Sequence, residues 1–461
     1  MGPLAVGALG AMSGAGAFAA TAAKPNILIL IADDAGARHF GIYGNKTVDT
    51  PNLDALGRGG LVGDNAILTT PQCSPSRISI LTGKHPHATG AEDLHEPMPA
   101  SHTTIAAYLQ TAGYFTGSMR KQHFGGHAAA EFNWYDKDLE AFPRFLDAAG
   151  QRPFFLWVGF NDPHRPYENT PIKKRHDPDD ITIPSWLVDA PATRHDLARY
   201  YDEIARMDRS IAAMLAELDA RGSRDNTLVL FISDNGAPFP REKGTLYDAG
   251  VRTPFIANWP GVTPAGHRHA GVISVIDIAP TVLAMAGLAT PGDMHGTSIL
   301  DGLADPARLA RDHAFCQRNW HNCDEHMRGI RADRYKLITN AYTDLPHGTA
   351  ADIGSSPAFK DLLAARSSGR LTPAQQRLFE VPRPSVELYD LDADPFELDN
   401  RAQDPDLADV RADLLGRLET WRQATGDFPP WRRRRADNTD RQTGVKFWPE
   451  HHLPPLFDTG P

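Results

Sequence analysis

Three short apolar runs constrain the fold of this chain more than any other feature. They are Asn26–Ala32 (NILILIA), Pro153–Phe160 (PFFLWVGF) and Thr227–Ser233 (TLVLFIS). Each is continuous, not alternating, and rich in Ile, Val, Leu or Phe, which is the pattern of a parallel strand buried on both faces. Each ends in a polar cluster: DDAG, NDPHRP and DNGAPFP in turn. Open α/β sheets bind ligands outside the carboxyl ends of their strands, so three polar clusters at three such ends predict one shared site.

Helical patterns lie between the runs. Thr103–Gly113 places Ile105, Leu109 and Ala112 on one stripe and ends at a glycine. Asp196–Arg221 carries Leu197, Tyr200, Ile204, Met207, Ile211, Met214, Leu215 and Leu218 at helical spacing. Strand alternating with helix predicts an α/β domain. After about residue 300 the texture changes. YKLIT and VELYDL read as short strands, and the segment from Asp404 to Gln423 reads as an amphipathic helix with Leu407, Val410, Leu414, Leu418 and Trp421 inward. The expected organisation is a catalytic domain over 24–300, a smaller, partly antiparallel α+β domain over 301–427, and an extended tail over 428–461.

The 461 residues exceed what one small core needs, and 39 glycines and 37 prolines among 41% hydrophobic residues describe a loop-rich globular protein. A net charge of -10 offers no overall positive field for nucleic acid. Residues 1–23 are Ala/Gly-rich and resemble the apolar part of a secretory signal without its basic start, with Ala20, Ala22 and Ala23 as cleavage positions. Export to the periplasm or the medium is the expectation, an Ala/Gly-rich arm the other reading. No run approaches the ~18 apolar residues of a membrane span. Of three cysteines, Cys316 and Cys323 are read as a short-loop disulfide or as free thiols, in preference to a metal site with His313, His321 or His326. Cys73 stands apart, in the polar stretch TTPQCSPSRISILTG, which reads as a turn.

At the strand ends, Asp33, Asp34 and Asp234 offer three carboxylates and Asn235 an amide oxygen, with no imidazole or thiolate in the set. All-oxygen ligands suit a hard cation, and Ca2+ tolerates irregular geometry better than Mg2+. Arg77, Lys121, Lys243 and Arg120 are positive groups able to hold an oxyanion. His123 and His164 add proton transfer near neutral pH.

The segment CSPSR, followed by LTG at Leu81–Gly83, resembles the Cys-x-Pro-x-Arg signature of the type I sulfatases. Further matches follow in order: NILILIADDAG, GYFTGSMRKQHFG, NDPHRPY, SDNG and EKGTLYDAGVRTPFI. SDNGAPFP, YYDEIARMDRSIAAML, SSPAFKDLLAARSSGRLT and VELYDLDADPFELDN are similar to the sulfamidase branch, the N-sulfoglucosamine sulfohydrolases. Two positions depart from the pattern: Arg120 stands where the second signature has Gly, and Lys243 where the sulfamidase branch carries Arg.

The resemblance implies an alkaline-phosphatase-like sulfatase fold and a Cys73 converted to Cα-formylglycine (3-oxoalanine) by a formylglycine-generating partner. It implies one Ca2+ held by Asp33, Asp34, Asp234, Asn235 and the modified Cys73. Arg77 is then expected to hold the formylglycine, Lys121 and Lys243 the sulfate, His123 the formylglycine hydroxyl, and His164 the leaving group. The implied substrate is a small or terminal sulfated sugar, N-sulfoglucosamine of heparin or heparan sulfate foremost. Alternatives are an O-sulfatase on another glycan or aryl sulfate, a phosphodiesterase or phosphonate monoester hydrolase, and an inactive sulfoglycan-binding homologue. His95 and the segment His313–His326 are further candidate sugar contacts, each expected first to be structural.

Overall fold

The computed structural model of the chain describes residues 24–429 apart from 169–171, 173 and 310. The expected signal-like segment, 1–23, and the tail beyond residue 429 lie outside the described residues. The first nine strands are β1 (Asn26–Ala32), β2 (Leu61–Ile67), β3 (Phe115–Arg120), β4 (Trp134–Asp136), β5 (Phe154–Gly159), β6 (Thr227–Ser233), β7 (Arg252–Thr253), β8 (Ile256–Asn258) and β9 (His267–Ser274). Among the described residues they form one sheet in the order β4-β3-β5-β1-β6-β8-β2-β7, with β9 paired to β2. Pairing is parallel from β4 through β6 and at β2–β9. It is antiparallel where β8 meets β6 and β2 and where β7 meets β2.

The three apolar runs are neighbours in this sheet, with β1 between β5 and β6. Ile27, Ile29 and Ile31 point into one core and Leu28, Leu30 and Ala32 into the other, because successive strand side chains alternate faces. Helices supply the opposing surfaces, Cys73–Thr82 and Ile278–Met285 on one side and Pro191–Ala220 and Phe142–Ala149 on the other. Ile31 pairs with Gly159, and Ala32 with Ser233. The three strands therefore end level, and the clusters that follow them emerge at one edge.

Element bounds differ from the expectation mainly at helix ends. The long helix begins at Pro191, five residues before Asp196, since proline suits the first helical turn. The shorter one spans Ile105–Thr111, with the Thr104 side chain accepting from the Ala106 N–H. The larger correction concerns Cys73, which opens a ten-residue helix, Cys73–Thr82, every residue of which is buried. Its serines and threonines concealed it from apolar periodicity. Apart from Ser76, whose buried hydroxyl has no partner among the described residues, they are hydrogen-bonded: Thr69 donates to the Ser79 hydroxyl at 2.7 Å, Ser79 to the Lys84 carbonyl at 2.5 Å, Thr82 to the Ile78 carbonyl at 2.7 Å, and Ser74 accepts from the His95 N–H at 2.8 Å.

The C-terminal part is a four-stranded antiparallel sheet of β10 (His313–Trp320), β11 (Asp324–Ala332), β12 (Tyr335–Asn340) and β13 (Val386–Asp390), in that order. Against it lies the helix Ala408–Thr425, burying Leu414, Leu418 and Trp421, with Leu407 and Val410 half-buried at the margin. β10 and β11 were not legible in the sequence, because both are buried almost throughout yet carry Gln317, Arg318, Asn319, Glu325, Arg328 and Arg331, so neither an apolar run nor alternation marks them. Cys316 and Cys323 are free thiols, so no bridge joins this pair.

Candidate active site

The site forms where β1, β5 and β6 end. Asp33 and Asp34 follow β1, with Asp34 in the left-handed region at φ 72°. That turn brings both carboxylates to one side of the chain. Asp234 and Asn235 follow β6 and meet them: the Asp34 N–H donates to Asp234 Oδ1 at 3.1 Å, and Asn235 Nδ2 to Asp34 Oδ1 at 2.7 Å. All four side chains are buried. The Cys73 Sγ lies 3.7 Å from Asp33 Oδ1 and 3.8 Å from Asp34 Oδ1.

Three cations compensate these carboxylates. Arg77, one helical turn after Cys73, is fully buried and places Nε and Nη2 each 2.8 Å from Asp234 Oδ2. Its Nη1 donates to the Lys121 carbonyl at 3.0 Å. This approach is possible because β5 ends in glycine: a Cβ on Gly159 would stand 2.1 Å from that carbonyl oxygen and 2.6 Å from Arg77 Nη1. Lys121 Nζ lies 2.5 Å from Asp33 Oδ2. Lys243 Nζ bridges Asp34 Oδ2 at 2.8 Å and Asp352 Oδ2 at 2.9 Å. Burial opposes the Lys243 charge, but Asp34 and Asp352 outweigh it and raise its pKa well above the ordinary lysine value.

A pocket of about 390 Å³ opens over Cys73. Lys121, His123, His164 and Lys243 line it together with Leu94, His95, Trp320, His321, Asn322 and Asp352. His123 and His95 are in contact, Nε2 to Nδ1 at 2.8 Å, and both have positive φ. Burial, with Lys121 and His95 beside it, pushes His123 well below the usual imidazole range, so it is neutral at physiological pH. Burial also raises the Cys73 thiol well above its ordinary pKa. An unmodified Cys73 is then a protonated thiol, a poor nucleophile and a poor partner for a hard cation.

The sequence-predicted residues converge, with three qualifications of place. Arg77 packs beneath the pocket on Asp234 and does not line it. Arg120 is outside the lining, its charge bearing on Asp162. Of the candidate sugar contacts, His95 and His321 reach the wall, whereas His313 packs on Phe315 and pairs with Asp312. Trp320 and Asn322, inside the His313–His326 segment, also reach the wall, whereas the sequence reading missed Asp352, which no motif marks. All three arrive from the C-terminal part by tertiary packing.

The donors fit a hard cation. Asp33, Asp34, Cys73 and His164 present ligand-capable atoms within 4.8 Å of one another. The buried Asn235 Oδ1 has no hydrogen-bond partner among the described residues, and an unsatisfied buried acceptor is costly unless a cation or water meets it.

The family model for sulfatases matches residues 25–288, and that for the N-sulphoglucosamine sulphohydrolase C-terminal region matches residues 241–362. The chain is 31% identical to human N-sulphoglucosamine sulphohydrolase over 89% of its own length and 92% of that protein's. A structure solved in complex with its substrate D-glucosamine-2-N,6-O-disulfate shares the fold at TM-score 0.68 and 21% identity, over 88% of this chain and 99% of that one. The phosphonate monoester hydrolase of Agrobacterium radiobacter shares it at TM-score 0.66 and 19% identity, over 87% and 96%. With a family model spanning more than half its length and a relative of that identity over nearly all of it, the chain belongs to the sulfatase family, the sulfuric ester hydrolases.

Proposed function

We propose that this sulfatase removes sulfate from a terminal sulfated sugar, with N-sulfoglucosamine at the end of a heparin or heparan sulfate chain as its substrate. One observation carries the reading: a cysteine at the pocket floor lies within 4 Å of two buried carboxylates, each of which also holds a lysine ammonium. A pocket of about 390 Å³, walled on one side by residues of the C-terminal part, suits a single terminal sugar residue. The N-sulphoglucosamine sulphohydrolase match over 241–362 includes Trp320, His321, Asn322 and Asp352, the residues facing the sugar side.

Asp33, Asp34, Asp234 and Asn235 would hold Ca2+, with residue 73 as the further ligand. In this structure the Cys73 Cβ is the carbon that a generating enzyme would oxidise to the formylglycine aldehyde, and Sγ marks where its oxygen would stand. Formylglycine as its hydrate supplies an oxygen nucleophile, and Ca2+ supplies Lewis-acid pull on the sulfate oxygens.

The chain's own residues do the rest. Lys121 and Lys243 present ammonium groups to the sulfate oxygens and stabilise the charge that grows there. Arg77 holds Asp234 in place and keeps a positive charge under residue 73. His164 donates its Nδ1–H to the Arg165 carbonyl, which leaves Nε2 on the pocket side to protonate the departing oxygen or nitrogen. His123, kept neutral, accepts a proton from the hydroxyl at position 73. Export to the periplasm or medium suits such an extracellular glycan, and no helix among the described residues is long and apolar enough to cross a membrane.

The experiment is sulfate release from N-sulfoglucosamine measured beside glucosamine 6-O-sulfate, an aryl sulfate and an aryl phosphonate. A larger kcat/KM on N-sulfoglucosamine than on the other three supports the reading. A larger value on the 6-O-sulfate replaces the N-sulfate assignment, and a larger value on the phosphonate replaces sulfatase action itself.

A further inference from the structure

Asp352 has no motif around it, yet it stands against two of the groups named above. It lies in the one-turn helix Ala351–Gly354, far in sequence from the strand-end clusters. Its Oδ2 is 2.9 Å from Lys243 Nζ and 3.8 Å from His164 Nε2. Its position relative to His164 is set by a third residue. Asp196 takes both terminal nitrogens of Arg165, the neighbour of His164, at 2.6 and 2.8 Å, and its Oδ2 also accepts the Ala358 N–H at 3.3 Å. Asp361 ties the same segment to the long helix through the Thr193 N–H at 3.0 Å and hydroxyl at 2.8 Å. The loop bearing His164 and the segment bearing Asp352 are thus fastened to one buried carboxylate.

The His164 ring has a defined orientation as a result. The Arg165 carbonyl can only accept, so Nδ1 is the donor and Nε2 faces Asp352 and Asp34. Asp34 is already engaged by Lys243 and Asn235, whereas Asp352 Oδ1 has no hydrogen-bond partner among the described residues. Asp352 is therefore the carboxylate with capacity to spare. Burial acts to raise its pKa, but Lys243 and His164 outweigh burial and hold it below the ordinary carboxylate range.

We propose that Asp352 is a positioning residue for departure of the leaving group: it holds His164 Nε2 and Lys243 Nζ in register, one toward the leaving atom and the other toward the sulfate. This rests on the sulfatase reading above and deepens it. In the step concerned the nucleophilic oxygen at position 73, its proton passing to His123, would bond to sulfur as the bond from sulfur to the leaving oxygen or nitrogen breaks. That bond's electron pair stays with the leaving atom, which takes the proton from His164 Nε2, the ring entering as imidazolium and leaving neutral. A sugar hydroxyl or amine needs that proton. A nitrophenolate does not, being a stable anion.

The test compares wild type, Asp352→Asn and Asp352→Glu, each produced with a formylglycine-generating enzyme, on N-sulfoglucosamine and on 4-nitrocatechol sulfate. Asp352→Asn is expected to lower kcat on the sugar about 100-fold and on the aryl sulfate less than about fivefold, with KM within about threefold on both. Asp352→Glu should recover part of the sugar rate. In a crystal structure of Asp352→Asn, the His164 ring should turn away from its wild-type position. Equal losses on both substrates with an unmoved ring would reduce Asp352 to a structural role and overturn the proposal. So would an unchanged sugar rate. Wild-type enzyme inert on both substrates would overturn the sulfatase reading, and this one with it.

Discussion

Arg77 and Asp234 form a buried ion pair directly under the pocket: two guanidinium nitrogens, Nε and Nη2, each lie 2.8 Å from the same carboxylate oxygen, and neither side chain is exposed. The pair links the helix that begins at Cys73 to the end of β6. Its geometry depends on Gly159, whose missing side chain leaves room for the guanidinium.

Removing one member of this pair strands the other charge in the core. Arg77→Ala should cost about 3–5 kcal/mol of stability, and sulfate release should fall below detection. Gly159→Ala should show a smaller version of both effects, because its methyl would displace Arg77 and the Lys121 carbonyl. Urea unfolding curves beside turnover assays check this. Wild-type stability in Arg77→Ala would contradict it.

Cys73 makes no contact shorter than 3.7 Å to the carboxylates, so Cys73→Ala should fold like the wild type and have no activity. Protein from a host with a formylglycine-generating enzyme should carry a Cys73 peptide lighter by about 18 Da than the unmodified sequence. Peptide mass spectrometry decides it, and activity in protein with an unmodified thiol would refute the assigned nucleophile.

Chelation should remove both activity and thermal stability. Readdition of Ca2+ at about 100 times its dissociation constant should restore about 2.7 kcal/mol by mass action. Asn235→Ala, which deletes the unpartnered buried oxygen, should weaken Ca2+ binding in calorimetry; because it also deletes the Nδ2 hydrogen bond to Asp34 Oδ1, the apo protein should lose about 1–3 kcal/mol of stability. Equal Ca2+ affinity in wild type and variant would remove Asn235 from the ligand set.

Acid stability should depend on Asp427, whose carboxylate takes Nε and Nη2 of Arg328 at 2.6 and 2.5 Å. Burial works to raise its pKa, but Arg328 overrides this and holds it at about 2, against 3.8 ordinarily. A depressed carboxylate pKa contributes its stability above the unfolded value and loses it as pH falls through the folded one. The pair should therefore stabilise by about 2.5 kcal/mol above pH ~4 and lose this between pH ~4 and ~2. Asp427→Asn should unfold more easily at neutral pH and show a flatter stability profile across that window, measured by denaturation at fixed pH values.

The strand ends were legible in the sequence because the central parallel strands, sandwiched between helices on both faces, are apolar without interruption. A polar cluster that interrupts such a run has to lie at its end. NILILIA and TLVLFIS were readable to the residue for this reason, as were the Asp33, Asp34, Asp234 and Asn235 positions that follow them. The helix at Cys73 was not, since its buried polar residues bond to groups outside the helix, such as Thr69, the Lys84 carbonyl and the His95 N–H, and leave no apolar stripe to read.

By itself the sequence determined the central strands, the carboxylates at their ends, and the cysteine, lysines and histidines whose order carries the sulfatase resemblance. These are local matters of apolar continuity and short motifs. Only the tertiary structure decided which of those groups share one pocket, that Arg77 lies beneath it and Arg120 outside it, and that Trp320, His321, Asn322 and Asp352 contribute to its wall. The reason is physical: level strand ends follow from register between distant segments, and the wall comes from the end of β10, the turn after it and the helix Ala351–Gly354, all distant in sequence from those ends. Neither leaves a periodicity in the chain at the residues concerned.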